Sequence, residues 1–167
     1  DRLIETEGQV DVLNVSGGEP LLHPDLLSLI DEALARPEVV RVSILTNGLR
    51  LLAQPQLVDH LAGRDVVIAL QFDGFNERAY TVLRGRPLLS EKRRILDLLA
   101  RRKAPASLTV TAAGTVNDDE FGPILDYYFS QPHIVSMMIQ PIAFAGRAAG
   151  ATGDMTRLTI PDVLRLL

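Results

Sequence analysis

Apolar positions along the chain switch between two spacings. Val10-Asp-Val-Leu-Asn-Val15 alternates apolar and polar residues and runs into Ser16-Gly-Gly18, the pattern of a strand ending in a turn. From Pro24 the spacing changes. Leu26, Leu27, Leu29, Ile30 and Leu34 recur at three and four, predicting a helix that opens on a proline and ends near Pro37. Val39 to Leu45 is β-branched and apolar and breaks at Thr46-Asn-Gly48; Leu57 to Leu61 predicts a short helix and Val66 to Phe72 the next strand. Asn76 or Glu77 opens a helix through Leu83, and another runs from about Ser90 to Arg102. Ala106 to Ala112 and Ile134 to Ile139 are two further strands. Between them Asn117-Asp-Asp-Glu120 reads as a cap, with acidic residues at the positive end of a helix whose apolar side is Ile124 to Phe129. Ala143 to Gly153 reads as loop and Pro161 to Leu167 as a helix cut short. Strands alternating with helices of this length imply parallel pairing, so the class is α/β.

Composition narrows the function classes. Hydrophobic residues make up 47% and charged residues 23% of 167 residues, which suits one globular domain and not disorder. A net charge of −4 argues against a general nucleic-acid binder and favours small-molecule chemistry. No apolar run is long enough for a membrane span and no basic, then apolar, leader opens the chain, so the default expectation is a cytoplasmic protein. The sequence has no cysteine, which excludes disulfides and thiolate-bound metal within it. His23, His60 and His133 stand far apart without a second ligand type at metal spacing and read as structural.

The polar residues fall where the strands end. Ser16-Gly-Gly-Glu19, Thr46-Asn-Gly48, Gln71-Phe-Asp-Gly74, Ala112-Ala-Gly114 and Gln140-Pro141 all follow strands at their carboxyl side. Parallel α/β folds bind ligands at that edge, because the loops converge there and helix N-termini present unpaired N–H groups. Ordinary turn chemistry accounts for any single segment; the ordered set points to one pocket. Gly17-Gly18-Glu19-Pro20 is the sharpest segment: two glycines let the backbone approach a ligand, a carboxylate beside them can accept from an ammonium group, and proline fixes the turn.

These residues resemble the radical S-adenosylmethionine (radical SAM) superfamily, in which a Gly-Gly-Glu-Pro segment after the second strand binds the methionine amino group. The order Gly-Gly-Glu-Pro, Thr-Asn-Gly, then Asp-Gly is similar to the branch of molybdenum-cofactor and peptide-modifying maturases. The resemblance implies a partial (β/α)6 barrel, strands two to six, with residues 1–167 as a single domain truncated at both ends. It also implies roles residue by residue. Gly17, Gly18 and Glu19 would hold the amino group, with Pro20 fixing their turn. Thr46 and Asn47 would face the methionine carboxylate or the ribose. Gln71 and Asp73, where the family more often has Ser-Leu-Asp-Gly, would meet the ribose hydroxyls or the carboxylate. Asn117 and the backbone near Ala113 would lie near the adenosine, and Ile139 to Pro141, with Gln140, would flank the adenine.

The superfamily also binds a [4Fe-4S] cluster through a Cys-x3-Cys-x2-Cys loop after the first strand, and that loop is missing here. Since the Gly-Gly-Glu-Pro segment starts at Gly17, the expectation is that the first strand and its loop belong to the parent protein ahead of Asp1, and that the chain alone is inactive. The implied parent cleaves S-adenosylmethionine to a 5′-deoxyadenosyl radical that abstracts hydrogen from a small-molecule or peptide substrate, using an electron donor. The isolated chain, with an open sheet edge at Val10 to Val15, is expected to self-associate. Two rivals remain: a barrel enzyme for phosphate-bearing substrates, for which Ala145-Gly146 is a thin match, and a non-catalytic partner-binding scaffold. Arg84-Gly-Arg-Pro87 reads as a surface turn, with reach toward a substrate anion as the alternative, Arg101-Arg-Lys103 as a solvated helix end, and Arg147 as a candidate carboxylate partner.

Overall fold

The computed structural model describes residues 2–144 and 155–167. Its centre is a five-stranded sheet in the order β1-β2-β3-β4-β5: β1 (Leu13–Val15), β2 (Val42–Thr46), β3 (Val67–Gln71), β4 (Ala106–Ala112) and β5 (Ile134–Pro141). Every neighbouring pair is parallel. Chain order and sheet order coincide because each strand is followed by helical chain that returns to start its neighbour, the α/β arrangement expected.

Period-two alternation decides which face meets the helices. Val42, Ile44, Ile68, Leu70, Leu108 and Val110 are buried under α2 (Leu26–Leu34), α3 (Leu49–Ala53), α4 (Gln56–Ala62), α6 (Leu89–Arg102) and α7 (Phe121–Ser130). Each such side chain contributes about 1.5–3 kcal/mol on burial. The opposite face carries smaller and more polar residues: Asn14, Ser43, Ala69, Ser107, Thr109 and Ser136 line one cavity of about 370 Å3. That cavity touches all five strands, both edges included, which requires the sheet to curl around it. This is the inside of a partial barrel. At the β4–β5 pairing the register jumps, Ala106 opposite Ile134 but Ser107 opposite Ser136, so Val135 is an extra residue that bulges β5.

Most predicted elements are found, with shifted ends. β1 is three residues long; Val10 makes only an isolated parallel bridge to Val39, and Val12 is 45% exposed. Pro24 lies in a turn, after the short 3-10 helix Pro20–Leu22 and before α2. Leu49–Ala53 and the opening helix α1 (Arg2–Glu7) escape the sequence pattern because they are too short to show periodicity. α5 (Glu77–Arg84) starts where expected, Asn76 capping the Ala79 N–H at 2.8 Å, and ends at Gly85 with φ 72°. Asn117 is not a cap: α7 begins four residues later, at Phe121. The last helix, α8 (Ile160–Leu166), is set by a reciprocal capping box between Thr159 and Asp162. The expected loop from Ala143 to Gly153 lies largely outside the described residues, as do Ala145, Gly146 and Arg147.

Candidate functional site

At the carboxyl ends of β1, β2 and β3 a pocket of about 270 Å3 is lined by Ser16, Gly17, Gly18, Glu19, Thr46, Asn47, Gln71 and Thr109 among others. It opens into the inner cavity, with which it shares Ser16, Leu45, Ala69 and Thr109. Six of the sequence-selected residues therefore meet in one place: Gly17, Gly18, Glu19, Thr46, Asn47 and Gln71.

Glu19 organises the pocket. Gly17 holds φ at 144°, a conformation that a side chain disfavours, and this turns the chain so that Glu19 comes over the end of β2. Oε1 accepts from the Thr46 hydroxyl at 2.5 Å and from the Leu21 N–H at 3.2 Å, and Oε2 accepts from the Asn47 N–H at 2.9 Å. An ionised carboxylate offers about four acceptor positions, so three donors leave one on Oε2. Pro20, buried, opens the 3-10 turn that delivers the Leu21 N–H. Thr46, also buried, accepts from the Gly48 N–H at 2.9 Å while donating to Glu19, so its hydroxyl is committed to orienting the carboxylate. The Asn47 side-chain oxygen caps the Leu49 N–H at 2.9 Å. Gly48, at φ 78°, packs so closely that a Cβ would stand 2.6 Å from Leu70 Cδ1.

Behind this rim lies a polar cluster in which Asp73 and Asn117 are spent. Asp73 is fully buried; its carboxylate accepts from Arg84 Nε and Nη2, both at 2.8 Å, and from the Thr111 N–H at 3.0 Å. It does not line the pocket, although the resemblance implies that it meets the ribose or the carboxylate. Arg84 is no surface turn either: it reaches inward, bonds Thr111 Oγ1 at 2.8 Å and, with the Gln71 amide turned to present its oxygen, donates to it from Nη1 at 2.9 Å. Asn117 accepts from the Ala113 N–H at 2.9 Å and donates to the Asp73 and Thr111 carbonyls at 2.8 Å each. With zero exposure and its oxygen and amide nitrogen engaged, its side chain is a brace between the ends of β3 and β4. Gln140 is exposed on β5, in register with Thr111, and does not line this pocket.

Tyr80 and Lys92, near the site, were not picked out by pattern, and Glu120, read only as part of a cap, has a second part in the fold. Glu120 accepts from the Phe75 N–H and from Asn76 Nδ2, tying the Gly74 turn to the start of α7. Tyr80 donates its hydroxyl to the Gly74 carbonyl at 2.8 Å, and burial, with Asp73 nearby, raises its pKa. Lys92, with zero exposure, donates to the Asn47 carbonyl at 2.7 Å and the Gln71 carbonyl at 2.6 Å. Burial lowers its pKa to about 8, with Arg84 pushing the same way and Asp73 and Glu19 opposing. Its sequence signal was available: Lys92 stands on the apolar stripe Leu88, Ile95, Leu99 of α6. Among the described residues no group of three or more His, Cys, Asp or Glu is placed to hold a metal ion, and no helix is long and apolar enough to cross a membrane.

Comparison with known proteins bears on the family and the fold. The chain is 34% identical over 158 residues to 7,8-dihydro-6-hydroxymethylpterin dimethyltransferase of Methanocaldococcus jannaschii, covering 93% of this chain and 31% of that protein. It is 32% identical over 124 residues to mycofactocin maturase MftC of Mycobacterium ulcerans, covering 72% of this chain and 32% of the maturase. The chain thus spans about a third of the length of these relatives. Among solved structures, a domain of pyruvate-formate lyase-activating enzyme from Bacteroides vulgatus superposes with TM-score 0.70 over 94% of this chain and 91% of that one, at 15% identity. Native anSMEcpe with bound AdoMet and Kp18Cys peptide superposes with TM-score 0.58 over 77% of this chain and 37% of that one, also at 15% identity. These likenesses concern the fold. The sequence profile of the Radical SAM superfamily matches residues 1–128, and the chain belongs to that superfamily.

Proposed function

We propose that this chain is the S-adenosylmethionine-binding core of a radical SAM enzyme, a single partial domain whose cluster-binding cysteines lie elsewhere in a longer cytoplasmic parent protein. The observation that carries the reading is Glu19: a carboxylate fixed by three donors, with one acceptor position left on Oε2, at the rim of a pocket that two glycines leave open. That position accepts one N–H of the methionine ammonium. Gln71, held by Arg84, presents a polar side chain to the same pocket, next to a cation that favours the methionine carboxylate. Gly17 and Gly18 supply backbone without side-chain obstruction, nothing lying within 4 Å of where their Cβ atoms would be.

The residues fit S-adenosylmethionine and do not fit the [4Fe-4S] cluster, since the chain offers no thiolate. On a reduced cluster in the parent, S-adenosylmethionine would supply a 5′-deoxyadenosyl radical for hydrogen abstraction, and Gly17, Gly18, Glu19 and Gln71 of this chain would hold and orient it. By itself the chain is inactive and, supplied with iron and sulfide, takes up no stoichiometric cluster. The substrate is a small molecule or a peptide, in keeping with the pterin named for one relative and the peptide bound in one structural neighbour, and the parent takes its electron from a separate donor.

Calorimetric or NMR titration of S-adenosylmethionine into the chain and its Glu19→Ala variant tests the site. Removing the carboxylate is expected to weaken binding by about 1.5–3 kcal/mol, the worth of a hydrogen bond to charged groups. Equal affinities would take Glu19 out of the site.

A further inference from the structure

The β2–β3 ladder ends at the rim of the pocket, with Thr46. Thr46 pairs with Leu70, but the next pair, Asn47 with Gln71, is absent, while β3 continues to β4 through Gln71 and Thr109. In that row the two strands are joined by a side chain instead. The Lys92 ammonium spans the gap from α6, 2.7 Å from the Asn47 carbonyl and 2.6 Å from the Gln71 carbonyl.

Both clamped residues face the pocket. The Asn47 N–H is one of the three donors on Glu19, and Gln71 lines the same pocket. We propose that Lys92 is a positioning residue for cofactor binding, holding the ends of β2 and β3 in the spacing that keeps the Asn47 N–H on Glu19 and Gln71 at the pocket. This rests on the assignment of the pocket to S-adenosylmethionine. Lys92 itself does not line the pocket.

The choice of residue supports a role in the site. Lys92 occupies a fully buried position on a stripe otherwise made by Leu88, Ile95 and Leu99, where an uncharged side chain of similar length would fill the space without desolvating an ammonium group. Its two carbonyl partners come from different strands, so a single cation replaces a missing ladder contact. The charged groups that act on it come from three surrounding elements: Glu19 before the 3-10 turn, Asp73 after β3, and Arg84 at the end of α5. Asp73 and Arg84 neutralise one another in their own pair, which leaves Lys92 and Glu19 as opposite charges on two sides of Asn47.

The test compares the chain with Lys92→Met and Lys92→Gln by NMR, reading S-adenosylmethionine affinity by titration and the exchange rate of the Asn47 amide. Methionine fills the volume without donating; glutamine, one bond shorter than lysine, keeps an uncharged NH2 donor on the same face. Lys92→Met is expected to stay folded, to bind S-adenosylmethionine about tenfold more weakly and to exchange the Asn47 amide about tenfold faster, the loss of one hydrogen bond to a charged group. Lys92→Gln, which also stands in if the methionine variant does not fold, is expected to recover most of both. Affinity and Asn47 exchange within twofold of the parent chain in a folded variant, or glutamine no better than methionine, would overturn the proposal. If the unaltered chain binds no S-adenosylmethionine, the pocket assignment fails on its own, and the Asn47 exchange rates still decide the clamp.

Discussion

Arg84→Met isolates the buried pair that ties the Asp-Gly turn to the barrel. The substitution keeps much of the aliphatic stem and removes two charge-assisted hydrogen bonds to Asp73, one to Thr111 Oγ1 and the contact with the Gln71 amide oxygen. Asp73, fully buried, is left with the Thr111 N–H alone. Breaking a buried pair by deleting one partner costs about 3–5 kcal/mol because the remaining charge is uncompensated. Arg84 is 22% exposed, so water screens part of the pair and the lower end applies, about 3 kcal/mol. For a chain of this size that lowers the melting temperature by about 6–12 °C. Urea unfolding followed by circular dichroism gives the free energy directly. Adding Asp73→Asn to Arg84→Met is expected to return about 1 kcal/mol or more, since an amide needs no counter-charge, and the double-mutant cycle measures that coupling. A loss below about 1 kcal/mol for Arg84→Met, or no relief in the double variant, would refute the account of Asp73 as a structural carboxylate and reopen it as a ligand contact.

Lys92 makes stability depend on pH with a definite sign: its folded pKa, lowered to about 8, lies below the 10.5 of the free side chain, so between these values the unfolded chain holds the extra proton and stability rises with pH. Urea unfolding at about pH 7.5 and about pH 9.5 should show a gain of about 2 kcal/mol that Lys92→Met lacks, and a flat difference would contradict it. Tyr80 acts oppositely, its raised pKa costing stability once the unfolded phenol ionises near its ordinary value of 10.0, so the comparison belongs below that pH. Gly48→Ala, forced to φ 78° and against Leu70 and Ile95, is expected to cost about 2–4 kcal/mol in the same assay; less than about 1 would show that the turn relaxes. Light scattering should find the isolated chain associating through β1, whose outer edge has no strand partner among the described residues; a monomer at high concentration, with slow exchange along Val10 to Val15, would show the edge to be covered.

Sequence alone determined the layout. Period-two strands and three-and-four helices depend on neighbours along the chain, so β4 came out at its observed limits and α5 and α6 within one residue, while glycine and asparagine at strand ends marked the turns. The Gly-Gly-Glu-Pro segment marked the pocket because its chemistry is local: φ 144° at Gly17 and a carboxylate two residues on. Short elements such as Leu49–Ala53 left too little periodicity to read. Tertiary structure alone decided which polar residues are free to meet a ligand. Asp73, Asn117 and Glu19 look alike in sequence, each a hydrogen-bonding side chain near a strand end, yet Asp73 is closed off by Arg84 eleven positions later and Asn117 by a carbonyl forty-four positions back. Glu19 is held by donors twenty-seven and twenty-eight positions on and keeps one acceptor position. Hydrogen-bond capacity is filled by whatever the fold brings within about 3 Å, and contacts so distant along the chain have no period to announce them. The same holds for Lys92, whose place on an apolar stripe shows that it is buried but not which two carbonyls it joins.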